Sequence, residues 1–346
     1  MTQHGLSRDG LSSAAVHRDL LFGTALCTSD LSLQPLQRAI LKNCNIITAE
    51  YEMKWDVIGA DPHRPDYSAA DRLVDFAADN GLAFHGHTLW WHEAVPTACR
   101  ESPDRRFKAS ALRHLEATVA RYAGRLKSWD VINEPLEPSQ GRGDGLRRSR
   151  FLEVLGPDYL ATAFRRAADL DPAALLVLNE MGLEYDSREA EMKRRMMLRL
   201  LERELGRGTP IGGLGIQSHL TALEQPREHP ELQAFLREIG RMGLSVMITE
   251  LDVSDHLCPR DRKRRDSIVA DTYRAYLDLV LAEGSVCAVN TWGLSDGSTW
   301  LNGFRPRADG TPQRPLLYDR GLRRKPAWHA VRDALGHARA GPAPGA

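Results

Sequence analysis

Short apolar runs alternate along the chain with longer segments in which apolar residues recur every three or four positions. The short runs are apolar on both faces, as buried parallel strands are, and the longer segments have the period of amphipathic helices. We predict eight strands, at 20–26, 45–50, 82–89, 128–134, 175–180, 213–219, 244–251 and 286–293. The predicted helices between and after them include 110–126, 158–170 and 326–336.

Eight strands, each followed by a helix, predict a fold of the α/β class, a single (β/α)8 TIM barrel with parallel strands. We expect the barrel to span 19–337. Residues 1–18 are predicted to form a loosely ordered N-terminal segment. The tail at 338–346 reads "ARAGPAPGA", and this composition predicts disorder.

Polar and aromatic side chains gather at the last positions of the predicted strands. The C-terminal ends of barrel strands meet at one rim, where the active sites of such barrels lie. We therefore expect side chains from six strands to converge on one bowl. They are Glu50, His87, Asn133, Glu134, Gln217, His219, Glu250 and Trp292.

The charge balance and the cysteine count argue against several classes of function. Lys and Arg together number 46, as do Asp and Glu, so no overall charge draws the chain to nucleic acid or to an anionic membrane. No apolar stretch reaches the ~18 residues of a membrane span. Five widely spaced cysteines fit neither a disulfide framework nor a zinc knuckle. No signal peptide is visible, so we expect a cytoplasmic protein, or a secreted one if the start codon is misplaced.

Glu134 and Glu250 are the candidate catalytic pair. The stretch "KSWDVINEP" at 127–135 brings Asn133 and Glu134 to the end of the fourth predicted strand, and "ITELD" brings Glu250 to the end of the seventh. Glycoside hydrolysis requires two carboxyl groups beside the scissile bond. One is ionised and attacks the anomeric carbon, and the other is protonated and releases the leaving oxygen. For either residue alone, the alternative is a buried ion pair.

His219 and Gln217 are candidate partners of Glu250. They are two residues apart, so the alternation of a strand points both side chains to one side of the sixth strand, next to the seventh. An imidazole there can orient Glu250 and keep it charged. The Gln217 amide can bond a sugar hydroxyl or Glu250, and the alternative for a lone histidine is packing in the core.

Indoles at or beyond strand ends can stack on the C–H faces of sugar rings, and a lysine near the rim can bond hydroxyl groups. Trp55 and Trp328 are expected in the core instead. The remaining candidates for sugar binding are Trp91, Trp292, Trp300 and Lys54.

The stretch "HGHTLWWH" at 85–92 also allows a metal site, built on His85, His87 and His92. A His-x-His pair on a barrel strand needs further ligands from later strands. The fifth and eighth strands end in Asn179-Glu180 and Thr291-Trp292, which is a poor ligand set. We therefore predict neither a metal nor an organic cofactor.

Six of these stretches, in order over 20–335, resemble the motifs of glycoside hydrolase family 10, the endo-β-1,4-xylanases. The motifs are "AEYEMKW" (49–55), "GHTLWWH" (86–92), "WDVINEP" (129–135), "GIQSHL" (215–220), "ITELDV" (248–253) and "TWGLSDGSTW" (291–300).

The resemblance implies a (β/α)8 barrel that hydrolyses β-1,4-xylosidic bonds in xylan or xylo-oligosaccharides with retention of anomeric configuration. It implies that Glu134 is the acid/base, that Glu250 is the nucleophile and that Asn133 binds the 2-hydroxyl of the reacting sugar. The subsite of cleavage would be lined by His87, Gln217, His219, Trp91, Trp292 and Trp300. Glu50 and Lys54 would hold the next sugar on the non-reducing side.

The sequence departs from the family pattern at two places. The family usually has Glu-Asn at the end of the second strand, whereas here Glu50 is followed by Tyr51. A phenol cannot replace the paired donor and acceptor of an amide, so the distal glycone subsite is expected to be altered. The fifth strand leads into "NEMGLEY" (179–185) where the family has Asn-Asp-Tyr-Asn, which changes the aglycone side.

Three hypotheses follow. The first is a retaining xylanase-type enzyme acting on xylo-oligosaccharides. The second keeps the mechanism but acts on an aryl β-xyloside or a specialised glycoside. The third is a non-catalytic sugar-binding barrel, which the loss of either carboxylate would favour; both Glu134 and Glu250 are present.

Overall fold

The computed structural model describes residues 9–16, 19–61, 64–224 and 229–336. Its strands are β1 (Leu21–Leu26), β2 (Ile46–Ala49), β3 (Ala83–Gly86), β4 (Trp90–Trp91), β5 (Ser128–Asn133), β6 (Leu175–Glu180), β7 (Gly213–Ile216), β8 (His219–Thr221), β9 (Ser245–Ser254) and β10 (Val286–Thr291).

Eight of these strands form a closed parallel barrel. They pair in the order β1-β2-β3-β5-β6-β7-β9-β10, and β10 pairs again with β1. The short strands β4 and β8 prolong the sheet beyond the rim, on β5 and β9 respectively. The predicted (β/α)8 barrel is therefore confirmed, and each of the eight predicted strands overlaps an observed one.

Helices connect the strands and cover the outside of the barrel. The sequence sets their first residues. The Ser187 hydroxyl and the Asp261 carboxylate, for example, each accept the backbone N–H of the residue three positions later. The α-helices are α1 (Leu11–Val16), α2 (Gln34–Asn43), α3 (Trp55–Ile58), α4 (Ser68–Asp79), α5 (Thr97–Arg100), α6 (Asp104–Tyr122), α7 (Arg150–Leu155), α8 (Tyr159–Leu170), α9 (Arg188–Gly206), α10 (Pro230–Arg241), α11 (Arg262–Val280), α12 (Leu301–Phe304) and α13 (Pro326–Gly336). Short 3-10 helices are Thr28–Ser32 and Pro138–Gln140.

Apolar side chains fill the barrel interior below the rim. Val177, Met247 and Ala288 form a small apolar cluster separate from the large core. Each is the third residue of its strand, in β6, β9 and β10. Because β6 and β10 are not neighbours in the sheet, these side chains meet across the inside of the barrel. The bowl at the rim therefore has a solid floor.

The N-terminal part of the chain includes a packed helix. Leu11 and Ala15 of α1 are buried in the main core, and α1 packs on α13. This helix lies within the segment predicted to be loosely ordered, 1–18, of which 1–8 and 17–18 are outside the described residues. The predicted disordered tail, 338–346, is also outside them. In the described part of the chain, no helix is both long and apolar enough to cross a membrane.

Candidate active site

The carboxyl ends of the barrel strands surround one cleft, and most of the predicted site residues line it. Of the described residues, those predicted for the site and found to line the cleft are Lys54, His87, Trp91, Asn133, Glu134, Gln217, His219, Glu250, Trp292 and Trp300. Glu50 is the predicted residue that does not line the cleft.

Glu134 directly follows the last residue of β5 and has a left-handed backbone, with φ of 55°. Such a conformation is uncommon for a residue with a side chain, and it is kept only where neighbouring contacts hold it. Here the Glu134 N–H donates to the Asn179 carbonyl at 2.9 Å, and the Glu134 carbonyl accepts from Arg147 Nε at 3.0 Å. These bonds fix the residue as the chain leaves the strand, with its side chain in the cleft.

Glu250 lies within β9 and is held by two side chains. Its Oε1 accepts a hydrogen bond from Asn179 Nδ2 at 2.8 Å, and its Oε2 is 3.2 Å from His219 Nε2. The other nitrogen of the same imidazole, Nδ1, is 3.0 Å from Asp252 Oδ1. His219 thus lies between two carboxylates of one strand.

This arrangement favours a charged pair. Burial lowers the pKa of His219, but Asp252 and Glu250 outweigh that effect and raise it to about 10. Burial likewise raises the pKa of Glu250, but the hydrogen bond from His219 and the charge of His87 leave it below its ordinary value. At neutral pH Glu250 is therefore ionised and His219 is protonated.

Three amides connect the two glutamates. Gln217 Nε2 donates to Glu134 Oε1 at 2.9 Å and to Asn133 Oδ1 at 3.3 Å. Asn179 Nδ2 donates to the same Asn133 oxygen at 3.0 Å as well as to Glu250. Both ends of the chain of hydrogen bonds are carboxylates, but Glu134 accepts from a neutral amide and Glu250 also from an imidazolium.

His87 is oriented from below by a buried aspartate. Its Nδ1 is 2.8 Å from Asp130 Oδ2, and His85 Nε2 is 3.0 Å from the same oxygen. Because Nδ1 is held by the carboxylate, Nε2 is the His87 nitrogen that can face the cleft. In this geometry His85 and His87, the pair considered for a metal, both have a ring nitrogen within 3.0 Å of one carboxylate oxygen.

The tryptophans of the cleft pack around these histidines. The Trp292 ring lies edge-on to His87 with 5.3 Å between the ring centroids, and the Trp300 ring is 4.9 Å from His219. Trp300 Nε1 also donates to Asp252 Oδ2 at 2.8 Å. Trp55 and Trp328 are buried in the core, as predicted.

The wall that follows β2 is formed by Tyr51 and Lys54. Tyr51 is 46% exposed, and Lys54 Nζ lies between two rings, 4.8 Å from the centroid of Tyr51 and 4.9 Å from that of Trp91. Glu50 is buried below this surface. Burial raises its pKa, although the Cys27 thiol and the Tyr51 hydroxyl both donate to its carboxylate.

A sequence model described as Glycosyl hydrolase family 10 matches residues 10–334. The chain belongs to this family. This match agrees with the resemblance drawn from the sequence, which rested on carboxylates, amides and indoles at the ends of barrel strands. The enzyme is therefore a glycoside hydrolase of the retaining endo-β-1,4-xylanase type.

Relatives of this family 10 enzyme cover most of its length. It is 31% identical to a β-1,4-xylanase of Dictyoglomus thermophilum, over 92% of this chain and 89% of the relative. It is 33% identical to endo-1,4-β-xylanase C of Paenibacillus barcinonensis, over 86% of this chain but only 29% of that longer protein. Among solved structures, xylanase 10B from Thermotoga petrophila RKU-1 in complex with xylobiose has a TM-score of 0.84 at 26% identity, covering 97% of this chain and 98% of that one.

Three members of the family 10 site were not identified from the sequence. These residues position other side chains of the site. Asp130 contacts His87, Asn179 bonds Glu250, and Asp252 contacts His219. Two of them carried a signal in the sequence. Asp130 is an acidic residue inside an apolar strand, and Asp252 follows Glu250 by two positions on the same face of β9.

The structure also changes the predicted position of Gln217. The chain is not a single strand over 213–219, because β7 ends at Ile216 and Ser218 has a left-handed φ of 62°. Simple alternation therefore does not relate Gln217 to His219. Both still reach the cleft, but Gln217 bonds Glu134 and His219 bonds Glu250.

Proposed function

We propose that this enzyme hydrolyses short xylo-oligosaccharides by double displacement, with Glu250 as nucleophile and Glu134 as acid/base. The observation that carries the assignment is the unequal surroundings of the two carboxyl groups. Glu250 is paired with an imidazolium, which favours the ionised form needed for attack. Glu134 is bonded by the neutral amide of Gln217, which tolerates either protonation state.

In the first step Glu250 attacks the anomeric carbon while Glu134 gives its proton to the glycosidic oxygen. The bond between the anomeric carbon and that oxygen breaks, and the sugar remains as an ester of Glu250. In the second step Glu134, now ionised, takes a proton from water. The water oxygen bonds to the anomeric carbon, and Glu250 leaves as the carboxylate.

The remaining predicted residues would position the glycone. Asn133 is proposed to donate to the 2-hydroxyl of the reacting sugar, since its amide oxygen already accepts from Asn179 and Gln217 while its Nδ2 is left as a donor. Trp292 and Trp300 would stack on the sugar in the cleavage subsite. Lys54 would bond the next sugar from its position between Tyr51 and Trp91.

A digest of linear xylo-oligosaccharides of two to six sugars, with the products identified by chromatography, tests this proposal. We expect xylose, xylobiose and xylotriose from the longer substrates, formed initially as β-anomers. Two carboxyl groups complete the reaction, so activity is expected to survive exhaustive treatment with EDTA. A digest with no cleavage of any xylo-oligosaccharide, by a folded protein, would overturn the proposal.

A further inference from the structure

The half of the cleft opposite Tyr51 presents apolar side chains. Met181, which follows β6, is 43% exposed, and Phe304 at the end of α12 is 59% exposed. Both line the cleft. The Phe304 ring stacks on Trp300, with 4.6 Å between centroids and 28° between planes. An exposed flat ring is thus held in place by a ring of the predicted cleavage subsite.

The barrel order shows that this wall lies across the cleft from the glycone wall. Counted around the eight strands, β7 is four positions from β2, which Tyr51 and Lys54 follow. The short strand β8 continues from β7, and its last residue, Thr221, accepts a hydrogen bond from the Arg305 guanidinium at 3.3 Å. Tyr185 donates to the His219 carbonyl on the same strand. Phe304, Arg305 and Tyr185 therefore form the aglycone side.

Most polar groups of this wall are already bonded within the protein. The Tyr185 hydroxyl donates to the His219 carbonyl, and the Ser254 hydroxyl donates to Gln313 Oε1 at 2.7 Å. The Asp252 carboxylate contacts His219 Nδ1 and accepts from Trp300 Nε1. A xylose ring carries several hydroxyl groups, and each must find a partner or lose its bonds to water. The wall offers a sugar few such partners.

Glu184 adds no accessible acceptor to this wall. Its side chain is buried, and among the described residues its Oε2 has no hydrogen-bond partner. Glu184 lines the cleft, but this oxygen is closed off from solvent and is not offered to a bound molecule. Arg305 is a cation at the same wall, 5.5 Å from the Phe304 ring.

We propose that the aglycone half of the cleft binds an aromatic ring carried by the leaving alcohol, so that the enzyme releases and accepts aromatic alcohols at the glycosyl-enzyme stage. The ring stacks on Phe304 and contacts the Met181 thioether. This inference rests on the proposed function, since it requires the ester of Glu250 as glycosyl donor.

Transfer to an alcohol follows the same bond changes as hydrolysis. The Glu134 carboxylate takes the proton of the alcohol hydroxyl, and the alcohol oxygen bonds to the anomeric carbon. The ester bond to Glu250 breaks and the carboxylate leaves. No other reactant is required, so the aglycone side alone decides which acceptor competes best with water.

The test uses xylotriose as donor with equal concentrations of benzyl alcohol and methyl β-xyloside as competing acceptors. We expect the benzyl glycoside to exceed the sugar-transfer product by several-fold in the wild type. Phe304→Ala and Met181→Ala should each lower the ratio of benzyl to sugar transfer at least threefold. Met192→Ala is the matched control, because Met192 is 47% exposed on α9 and lies outside the cleft wall; its ratio should equal that of the wild type.

The donor reaction separates this inference from the function on which it rests. If xylotriose is hydrolysed but the sugar acceptor is preferred, or if both cleft variants keep the wild-type ratio, the aromatic assignment is wrong and the proposed function stands. If a folded protein does not consume xylotriose at all, both are overturned.

Discussion

The floor of the cleft and its two side walls are built in different ways. Floor residues such as Glu134 and Glu250 lie in a barrel strand or directly after one, and each is fixed by hydrogen bonds from side chains of neighbouring segments of the barrel. Wall residues such as Tyr51, Met181 and Phe304 come from segments beyond the strands and are largely exposed. The reaction is thus determined by the most constrained part of the molecule. The proposed determinants of substrate choice are exposed side chains, whose replacement usually changes stability little.

A second comparison lies within the floor. Glu180 and Glu250 are both buried carboxylates of barrel strands, but the Glu180 carboxylate contacts only groups of the protein and does not line the cleft. Its oxygens accept the backbone N–H groups of Leu136 and Met181 and pair with Lys193 Nζ at 2.8 Å. We therefore expect a buried strand glutamate to act in catalysis only where its partners leave it open to the cleft, as they do for Glu250.

The largest expected effect follows from this pair of residues. Glu250→Ala removes the nucleophile, so turnover of every glycoside should fall by a factor on the order of 10⁴ or more, while Tm changes less. Glu180→Ala should lower Tm more and turnover less. It leaves Lys193 without its buried partner, which costs about 3–5 kcal/mol. Tm from thermal unfolding and kcat on xylotriose measure the two effects, and similar Tm losses in both variants would remove the distinction.

Glu134→Ala should separate the two steps of the reaction. An aryl xyloside with a good leaving group needs no proton to form the ester of Glu250, so its first step should survive, while activity on xylotriose should fall by about 10²–10⁴-fold. Added azide should attack the ester and give a β-glycosyl azide. If both substrates lose activity equally and azide restores neither, the assigned role of Glu134 is wrong.

His219→Gln should shift the pH dependence of the enzyme. The imidazolium holds the pKa of Glu250 below its ordinary value, so its removal should raise that pKa. The acidic limb of kcat/KM should then move to higher pH by about 1–3 units, the usual effect of a neighbouring charge. His329→Gln is the control, because His329 is an exposed residue of α13. A His219 variant with an unmoved acidic limb would show that Glu250 does not depend on the imidazolium.

The sequence predicted the fold and the floor because both follow from local patterns. Apolar runs of strand length mark the eight strands, and polar residues at their ends mark the rim. The hydrogen-bond partners of the site residues were harder to predict from the sequence. The strand that was expected to align Gln217 with His219 is interrupted at Ser218, which has a left-handed backbone. No sequence pattern indicates that conformation. Asn179 of β6 bonds Glu250 of β9 directly, although β7 lies between these two strands in the barrel.

The walls were the least predictable part because burial there depends on tertiary packing. Glu50 was expected to bind sugar, yet the structure places it below the cleft surface, bonded by the Cys27 thiol and the Tyr51 hydroxyl. The sequence did single out Tyr51 as a departure from the family pattern. That the tyrosine also covers its neighbour becomes visible only when the two side chains are placed in space.

The smallest expected effect concerns this tyrosine. Tyr51 occupies the cleft wall where an amide could offer a donor and an acceptor to the second glycone sugar, so we expect weak use of that subsite and a preference for short substrates. Tyr51→Asn should restore one or two hydrogen bonds, each contributing about 0.5–1.5 kcal/mol. The expected gain in kcat/KM on xylotetraose is therefore about 2–10-fold per bond.

An aryl xyloside has a single sugar and does not reach the second subsite, so its kcat/KM should change little in Tyr51→Asn. Tyr51→Phe is the matched control, because it removes the hydroxyl that contacts Glu50 but keeps the ring in the wall. If the hydroxyl contact alone withholds Glu50 from the sugar, Tyr51→Phe should equal Tyr51→Asn. If the ring occupies the subsite, as its exposure in the cleft indicates, only Tyr51→Asn should gain. Equal changes on the oligosaccharide and the aryl xyloside would instead assign Tyr51 to packing of the wall.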